Sequence, residues 1–237
     1  MQRITKKDLL PLINRYMPTQ PVIVEAGCFD GGDTLQLSSF WPTATIHAFE
    51  PVPEIFAMLT NNTQQRNNIC CYNYALSTQT GTAQLHLSSH PAAPDEPFRA
   101  GSLLPPKERL TWSTVTYPKT IAVKTIMLDD WAQQHTIERI DFLWLDVQGY
   151  ALPILQASPR MLKALRVLYV EVEFIEAYEG QHQYHEVKTW LESQGFTMIA
   201  RDFDDVPHWF FGNAVFINQN HSSTTLPNGA QQKTQGE

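Results

Sequence analysis

The chain has 237 residues, 43% of them hydrophobic and 17% charged, enough to bury one sizeable core, and one domain is the expectation. Aromatics at 11% with 11 Gly, 16 Pro and three Cys exclude a collagen-like chain, a disulfide scaffold and a mostly disordered polymer. A formal charge of -7 repels phosphate backbones and argues against nucleic acid as the main partner. No long apolar stretch follows the basic residues of the N-terminus, so neither a signal peptide nor a membrane span is expected. With an odd number of Cys, two of them adjacent at Cys70 and Cys71, a reducing compartment, the cytoplasm, is the default.

In chain order, an amphipathic segment from Leu9 to Met17 comes first, then PVIVEAG, a Gly-rich turn and a stretch to Phe40 that read as strand, loop and helix. ATIHAFE is a second strand ending in an acid, and Ile55, Phe56 and Leu59 recur at helical spacing after Pro53. An apolar run from Ile69 to Ala75 and the alternating TAQLHLS follow. Residues 89–118 carry Pro91, Pro94, Pro97, Pro105, Pro106 and Pro118, so irregular structure is expected there, either a lid or substrate loop or a mobile surface excursion. TIAVKTIML alternates like a strand, and Leu128 or Asp129 opens a short helix. IDFLWLD and LRVLYVEVE are near-continuous apolar runs suited to strands buried on both faces of a parallel sheet. Tyr184, Val187, Trp190 and Leu191 share a helical face, with Gly195 as the C-cap. FTMIARDF and GNAVFIN give two late strands, and residues 219–237 are polar enough to predict a disordered tail after a single domain over 1–218. Strands alternating with helices and closing on a β-rich end describe an open, doubly wound α/β sheet. Ligands of such sheets sit at the carboxyl ends of the strands.

Four places at those ends attract attention. VIVEAGCFDGGDT sets Glu25, Gly27, Gly31 and Gly32 between strand and helix, where glycines permit a tight turn and close backbone approach to a ligand. Phe29 occupies the second glycine of the dinucleotide fingerprint, which disfavours a nicotinamide cofactor, and no Gly-Lys-Ser/Thr follows to make a P-loop. The remaining acid-x-Gly-x-x-x-Gly spacing suits a nucleoside cofactor without a diphosphate, above all S-adenosylmethionine; a purely structural turn is the alternative. Glu50, with Pro51 ending its strand, can accept hydrogen bonds from both ribose hydroxyls, or can simply face solvent. Asp146 in FLWLDVQG is either a desolvated acid/base or ligand anchor, or a helix cap before Gly149 and Tyr150. Glu171 and Glu173 alternate onto one face of a strand, so one of them can look into the cleft.

Elsewhere, His182 and His185 with Glu186 lie at adjacent helical positions, but two ligands make no metal site and none is expected. His90 and Arg99 sit in the Pro-rich segment, where loops often carry substrate contacts. Cys28 reads as a small packed residue.

In this order, VIVEAGCFDGGDT, IHAFEPVPEIF, YALSTQTG, TIMLDDW, IDFLWLDVQGY, YVEVEF and GNAVFIN resemble the FkbM-type methyltransferases over about residues 20–218. The resemblance implies a class I methyltransferase fold, Rossmann-like and mostly parallel, and an S-adenosylmethionine-dependent O-methyltransferase acting on a hydroxyl of a sugar or small natural product. It implies that Glu25, Gly27, Asp30 and Gly31 form the methionine-side loop, and that Asp33 and Thr34 open the helix beneath the cofactor carboxylate. Glu50, next to Pro51, would hold the ribose. Ala75 to Ser77 would lie along the adenine, and Asp146 with Gln148 would stand where cofactor meets substrate. An alcohol attacks poorly until its proton leaves, so a base is needed; Asp146 is the first candidate, with His182 or Glu173 behind it. One position departs from the pattern: Ala151 stands where the family usually carries Glu. That departure motivates the rival reading, a non-catalytic protein of the same fold with a binding or regulatory role. The oligomeric state is not legible.

Overall fold

The computed structural model describes residues 2–92, 100–204 and 209–221. Strand β1 (Gln2–Arg3) leads into α1 (Lys6–Asn14), where the Asp8 carboxylate accepts from the Thr5 hydroxyl at 2.6 Å and Leu9, Leu10 and Ile13 turn inward. β2 (Val22–Ala26) runs through the Gly loop into α2 (Gly32–Phe40), and β3 (Thr45–Phe49) into α3 (Pro53–Thr63), where Pro53 occupies a first-turn position that needs no N–H. The apolar run from Ile69 splits into β4 (Ile69–Tyr72) and β5 (Ala75–Leu76). Between them the Asn73 amide donates to the Glu50 and Pro51 carbonyls at 2.9 and 3.0 Å, which turns the chain out of the main sheet.

β6 (Gly81–Ser89), α4 (Arg109–Trp112) and β7 (Thr116–Ile126) follow. The segment expected to be irregular thus holds a helical turn and the start of a strand. Pro118 is tolerated in β7 because it falls where the β6–β7 register slips between Leu87 and Ser89, so the ladder loses little there. Arg99, with the rest of 93–99, lies outside the described residues. Next come α5 (Leu128–Gln134), β8 (Ile140–Leu145), α6 (Ala151–Gln156), α7 (Pro159–Ala164), β9 (Leu165–Glu173), α8 (Tyr184–Ser193), β10 (Phe196–Arg201) and β11 (Phe211–Asn218). The short helices α6 and α7 carry no long periodicity and are not announced by the sequence. Residues 219–221, expected to begin the tail, instead form a 3-10 turn, tied down where Arg166 donates to the His221 carbonyl at 3.1 Å. The rest of the predicted tail, 222–237, lies outside the described residues.

The main sheet has eight strands in the order β1-β10-β11-β9-β8-β2-β3-β4. β8, β2, β3 and β4 pair in parallel, as do β9 and β8, whereas β11 is antiparallel to both β9 and β10. Both faces are covered. α1 and α2 bury Leu10, Ile13, Leu37 and Trp41 against Ile23, Ile46 and Phe142 on one face. α5 to α8 bury Trp131, Leu152, Met161 and Leu191 against Val24, Leu143 and Leu168 on the other. Such two-sided burial is why the central strands read as unbroken apolar runs rather than alternating ones. A second sheet, β5-β7-β6, stands beside the carboxyl end of β3. No helix of the described residues is long and apolar enough to cross a membrane.

One core histidine is expected to make folding pH-dependent. His47 is 4% exposed; its Nδ1 lies 3.1 Å from the Tyr72 hydroxyl, Nε2 has no partner, and the Trp131 ring meets it edge-on. Burial, with a smaller contribution from His135, pushes its pKa down to about 4. The unfolded chain therefore takes up this proton first, so the associated stability is intact above pH ~6.5 and is lost as the pH falls towards ~4. Urea titrations at pH 7.5 and pH 5 are expected to show the wild type losing about 2 kcal/mol more than His47→Gln over that interval. Equal losses would show that the folded protein takes up this proton as readily as the unfolded chain.

Candidate active site

β9, β8, β2 and β3 are neighbours in the sheet, so their carboxyl ends bring the strand-end acids together. Glu50 and Asp146 border a cleft of about 680 Å³, counted to its open mouth. Its floor is set by a backbone crossing. The Gly27 N–H donates to the Phe49 carbonyl at 3.1 Å while the Asp146 N–H donates to the Ala26 carbonyl at 3.1 Å, which locks the ends of β2, β3 and β8 together. Gly27 has φ +86°, and a Cβ there would overlap the Asp146 carbonyl oxygen. Glycine is thus required twice, for its dihedral and for the close approach. Gly31, also at φ +86°, caps α2, and a Cβ on it would press on Leu59 at 2.8 Å.

Glu50 is 5% exposed, and each of its carboxylate oxygens accepts one backbone hydrogen bond: Oε2 from Phe29 at 3.1 Å and Oε1 from Val52 at 2.9 Å. These bonds fix the carboxylate yet leave lone pairs for further donors. Burial pushes its pKa up to about 7, with the two N–H groups opposing. Glu25 is buried as well, accepts from the Thr34 hydroxyl at 2.6 Å, and is pushed up to about 8 by burial. Thr34 therefore spends its hydroxyl on Glu25. At the apolar end, Phe29, Val52, Ile55, Leu85 and Leu103 pack together beside Tyr74, Ala75 and Leu76. Such an apolar slot suits a flat, largely apolar ring.

At the other end the acids form a network. Gln148 Nε2 donates to Asp146 Oδ1 at 2.8 Å and to Glu171 Oε2 at 2.7 Å; its Oε1 accepts from the Tyr178 hydroxyl at 2.9 Å, and its carbonyl from Ser102 Oγ at 2.7 Å. Tyr117 and Tyr178 join hydroxyls at 3.0 Å. Asp146 stays accessible through the cleft, but the protein mass around it raises its carboxyl, and Asp33 adds to this while Gln148 and the Arg109 charge oppose. Glu171 is raised by burial and then by Asp146 and Glu173; Glu173, 3% exposed, is pushed up to about 7 chiefly by burial.

The structure thus gathers Gly27, Glu50, Pro51, Asp146 and Gln148 around one cleft, with Glu25 and Thr34 beneath and Asp33 close enough to act electrostatically on Glu25 and Asp146. Asp30 turns its Oδ1 onto the Gly32 N–H at 3.2 Å, a local turn contact. Ser77 is buried and its N–H donates to the Ile126 carbonyl; Tyr74, not Ser77, lines the cleft beside Ala75 and Leu76. His182 is separate from the network: it is half-exposed on the approach to α8, with Nδ1 3.5 Å from Glu186. His90 bonds Thr114 within the Pro-rich segment. Sequence reading missed Arg109, Tyr117, Tyr178 and the apolar slot. Only the slot had a signal, since alternation along TAQLHLS puts Leu85 and Leu87 on one strand face.

An α/β sheet in this order, with a glycine crossing and acids at the strand ends beside an open cleft, defines a class I methyltransferase fold. The chain matches the methyltransferase FkbM domain over residues 32–198, and it belongs to that family. It is 31% identical over 182 residues to the 2-O-methyltransferase NoeI of Sinorhizobium fredii (strain NBRC 101917 / NGR234), covering 76% of this chain and 74% of that one. Among solved structures it is similar in fold to fibrillarin in its complex with Nop5p (TM-score 0.51, 13% identity, 85% of this chain and 74% of that one). It is similar also to SMU.1697c from Streptococcus mutans in complex with SAH (TM-score 0.51, 11% identity, 92% and 99%).

Proposed function

We propose that the protein is an S-adenosylmethionine-dependent O-methyltransferase acting on a hydroxyl of a saccharide or other small hydroxylated molecule. The observation that carries this reading is Glu50, held by two backbone N–H groups with spare lone pairs facing the cleft, one strand away from Gly27 and beside an apolar slot. Glu50 accepts the ribose hydroxyls, Tyr74, Leu76 and Leu85 enclose the adenine, and the Gly27 to Asp33 loop, backed by Glu25, receives the amino-acid end. When bound, the cofactor supplies a sulfonium methyl group open to in-line displacement by an acceptor oxygen. Asp146 lies at the open end of the cleft, where it takes the acceptor proton; Gln148 holds it in place. The resemblance to a relative named for 2-O-methylation supports the hydroxyl acceptor. Three cysteines, all free, support a reducing compartment such as the cytoplasm.

Calorimetric titration with S-adenosylhomocysteine tests the reading, because a protein of this fold without the activity need not bind it. Hydrogen bonds to a charged acceptor contribute about 1.5 to 3 kcal/mol each, so Glu50→Gln is expected to raise the Kd roughly 10- to 100-fold. The ribose favours the ionised carboxylate, and Glu50 titrates near pH 7, so wild-type binding tightens as the pH rises through 7. The part of that dependence centred on pH 7 is expected to weaken in Glu50→Gln. Failure of the wild type to bind at millimolar ligand would sink the proposal.

A further inference from the structure

Asp146 and Glu171 converge on the side-chain amide of Gln148, and its orientation is over-determined. Each N–H of its amide nitrogen serves one carboxyl group. The amide cannot turn over without presenting its oxygen to two acids, and the Tyr178 hydroxyl, donating to that oxygen, holds it the right way round. Its backbone is fixed too: φ is +49°, left-handed for a residue with a side chain, Gly149 follows at φ +87°, and Ser102 donates to the carbonyl. Strain of this kind persists only where the surroundings impose it, and it concentrates at working sites.

The neighbourhood offers little charge to balance two carboxylates. The groups close enough to act electrostatically on the pair are Asp33 from α2, Glu173 and Tyr169 from β9, Arg109 from α4, Tyr117 from β7 and Tyr178 before α8. Arg109 is the one cation in that set. Two carboxylates on a single amide nitrogen, with one cation nearby, favour the state in which they share a proton. Glu171 shares the Gln148 amide nitrogen with Asp146, which lines the cleft, whereas Glu173 is buried, so Glu171 is the acid that pairs with Asp146.

We propose that Asp146 and Glu171 work as one proton-sharing pair, with Glu171 as the positioning residue that sets how readily Asp146 accepts a proton, and with Gln148 and Tyr178 holding the pair in register. This rests on the methyl-transfer reading. At rest the pair holds one proton. As the acceptor oxygen forms its bond to the methyl carbon and the methyl–sulfur bond breaks, the hydroxyl proton passes to the ionised oxygen of Asp146. The doubly protonated pair then loses one proton to solvent, which restores it.

The test is carboxyl ¹³C NMR titration of the full chain with S-adenosylhomocysteine bound, which requires no acceptor substrate. The Asp146 carbon of the wild type is expected to titrate in two steps, because its charge depends on that of Glu171. In Glu171→Gln the curve collapses to one step, shifted down by about one pH unit or more, towards the ordinary Asp range. Glu171→Asp restores the two steps, which a merely structural role for Glu171 does not explain. Tyr178→Phe, a near-isosteric change, loosens Gln148 and moves the midpoints up. An Asp146 curve that is the same in wild type and Glu171→Gln overturns the pair; so does a single-step curve in the wild type. Failure of S-adenosylhomocysteine to bind counts against methyl transfer, while titration of the free protein still decides the pair.

Discussion

Asp146→Asn is expected to slow methyl transfer by about 10²- to 10⁴-fold, the range that a positioned general base contributes. The substitution is nearly isosteric. An Asn side-chain oxygen can still accept from Gln148, and the backbone of residue 146, which packs against Gly27 and donates to Ala26, is unchanged. What is lost is the ability to take a proton. The expected signature is therefore a fall in kcat with little change in the Kd for S-adenosylhomocysteine, which separates a base from a cofactor anchor. The pH profile adds a second check. Because the protein surrounding the cleft raises the Asp146 carboxyl above the usual Asp range, the wild-type rate is expected to rise with pH as the group ionises, and this limb is absent from the residual activity of the variant. Unchanged turnover with normal cofactor binding would remove Asp146 from the chemistry and shift attention to Glu171 and Glu173.

The second large effect concerns folding. Gly27→Ala is expected to cost about 3 kcal/mol or more, or to prevent folding, since two penalties coincide. A left-handed dihedral alone costs an L-residue about 1 to 2 kcal/mol. At Gly27 the added methyl also meets the carbonyl oxygen of Asp146, part of a crossing pinned by hydrogen bonds on both sides, so the backbone has nowhere to retreat. Gly180 is the internal comparison: its φ is +70°, but a Cβ there meets nothing within 4 Å. Gly180→Ala should therefore show the dihedral cost alone. Urea midpoints for the two variants measure the difference, and equal destabilisation would mean that the crossing at Gly27 relaxes more easily than its geometry implies.

Much of this arrangement is legible in the chain itself, for a definite reason. Strands buried on both faces are apolar along most of their length, so VIVEA, IDFLWL and LRVLYVEVE announce a covered parallel sheet, and a polar residue at the end of such a run stands out. Glu50 and Asp146 are visible for that reason, and Gly27 because a tight turn between strand and helix requires it. The short helices α6 and α7 are hidden by their length, too brief to establish a period, and α4 by the prolines around it. The late strands β10 and β11 are legible as strands, but the antiparallel insertion of β11 between β9 and β10 is not, because pairing direction leaves no mark on a short apolar run.

The sequence by itself determined the fold class, the Gly loop and the acids at the ends of three parallel strands, because these follow from periodicity and from local turn chemistry. Tertiary structure alone decided which acid meets which. The register of β9 against β8 sets Glu171 beside Asp146, the left-handed turn at Gln148 swings one amide between them, and Tyr178 arrives from a loop 30 residues further along the chain. His182, equally eligible as a base by residue type, lies instead at the surface with Glu186. Proton chemistry depends on distances of a few ångströms between residues remote in sequence, and those distances exist only once the sheet has closed its register.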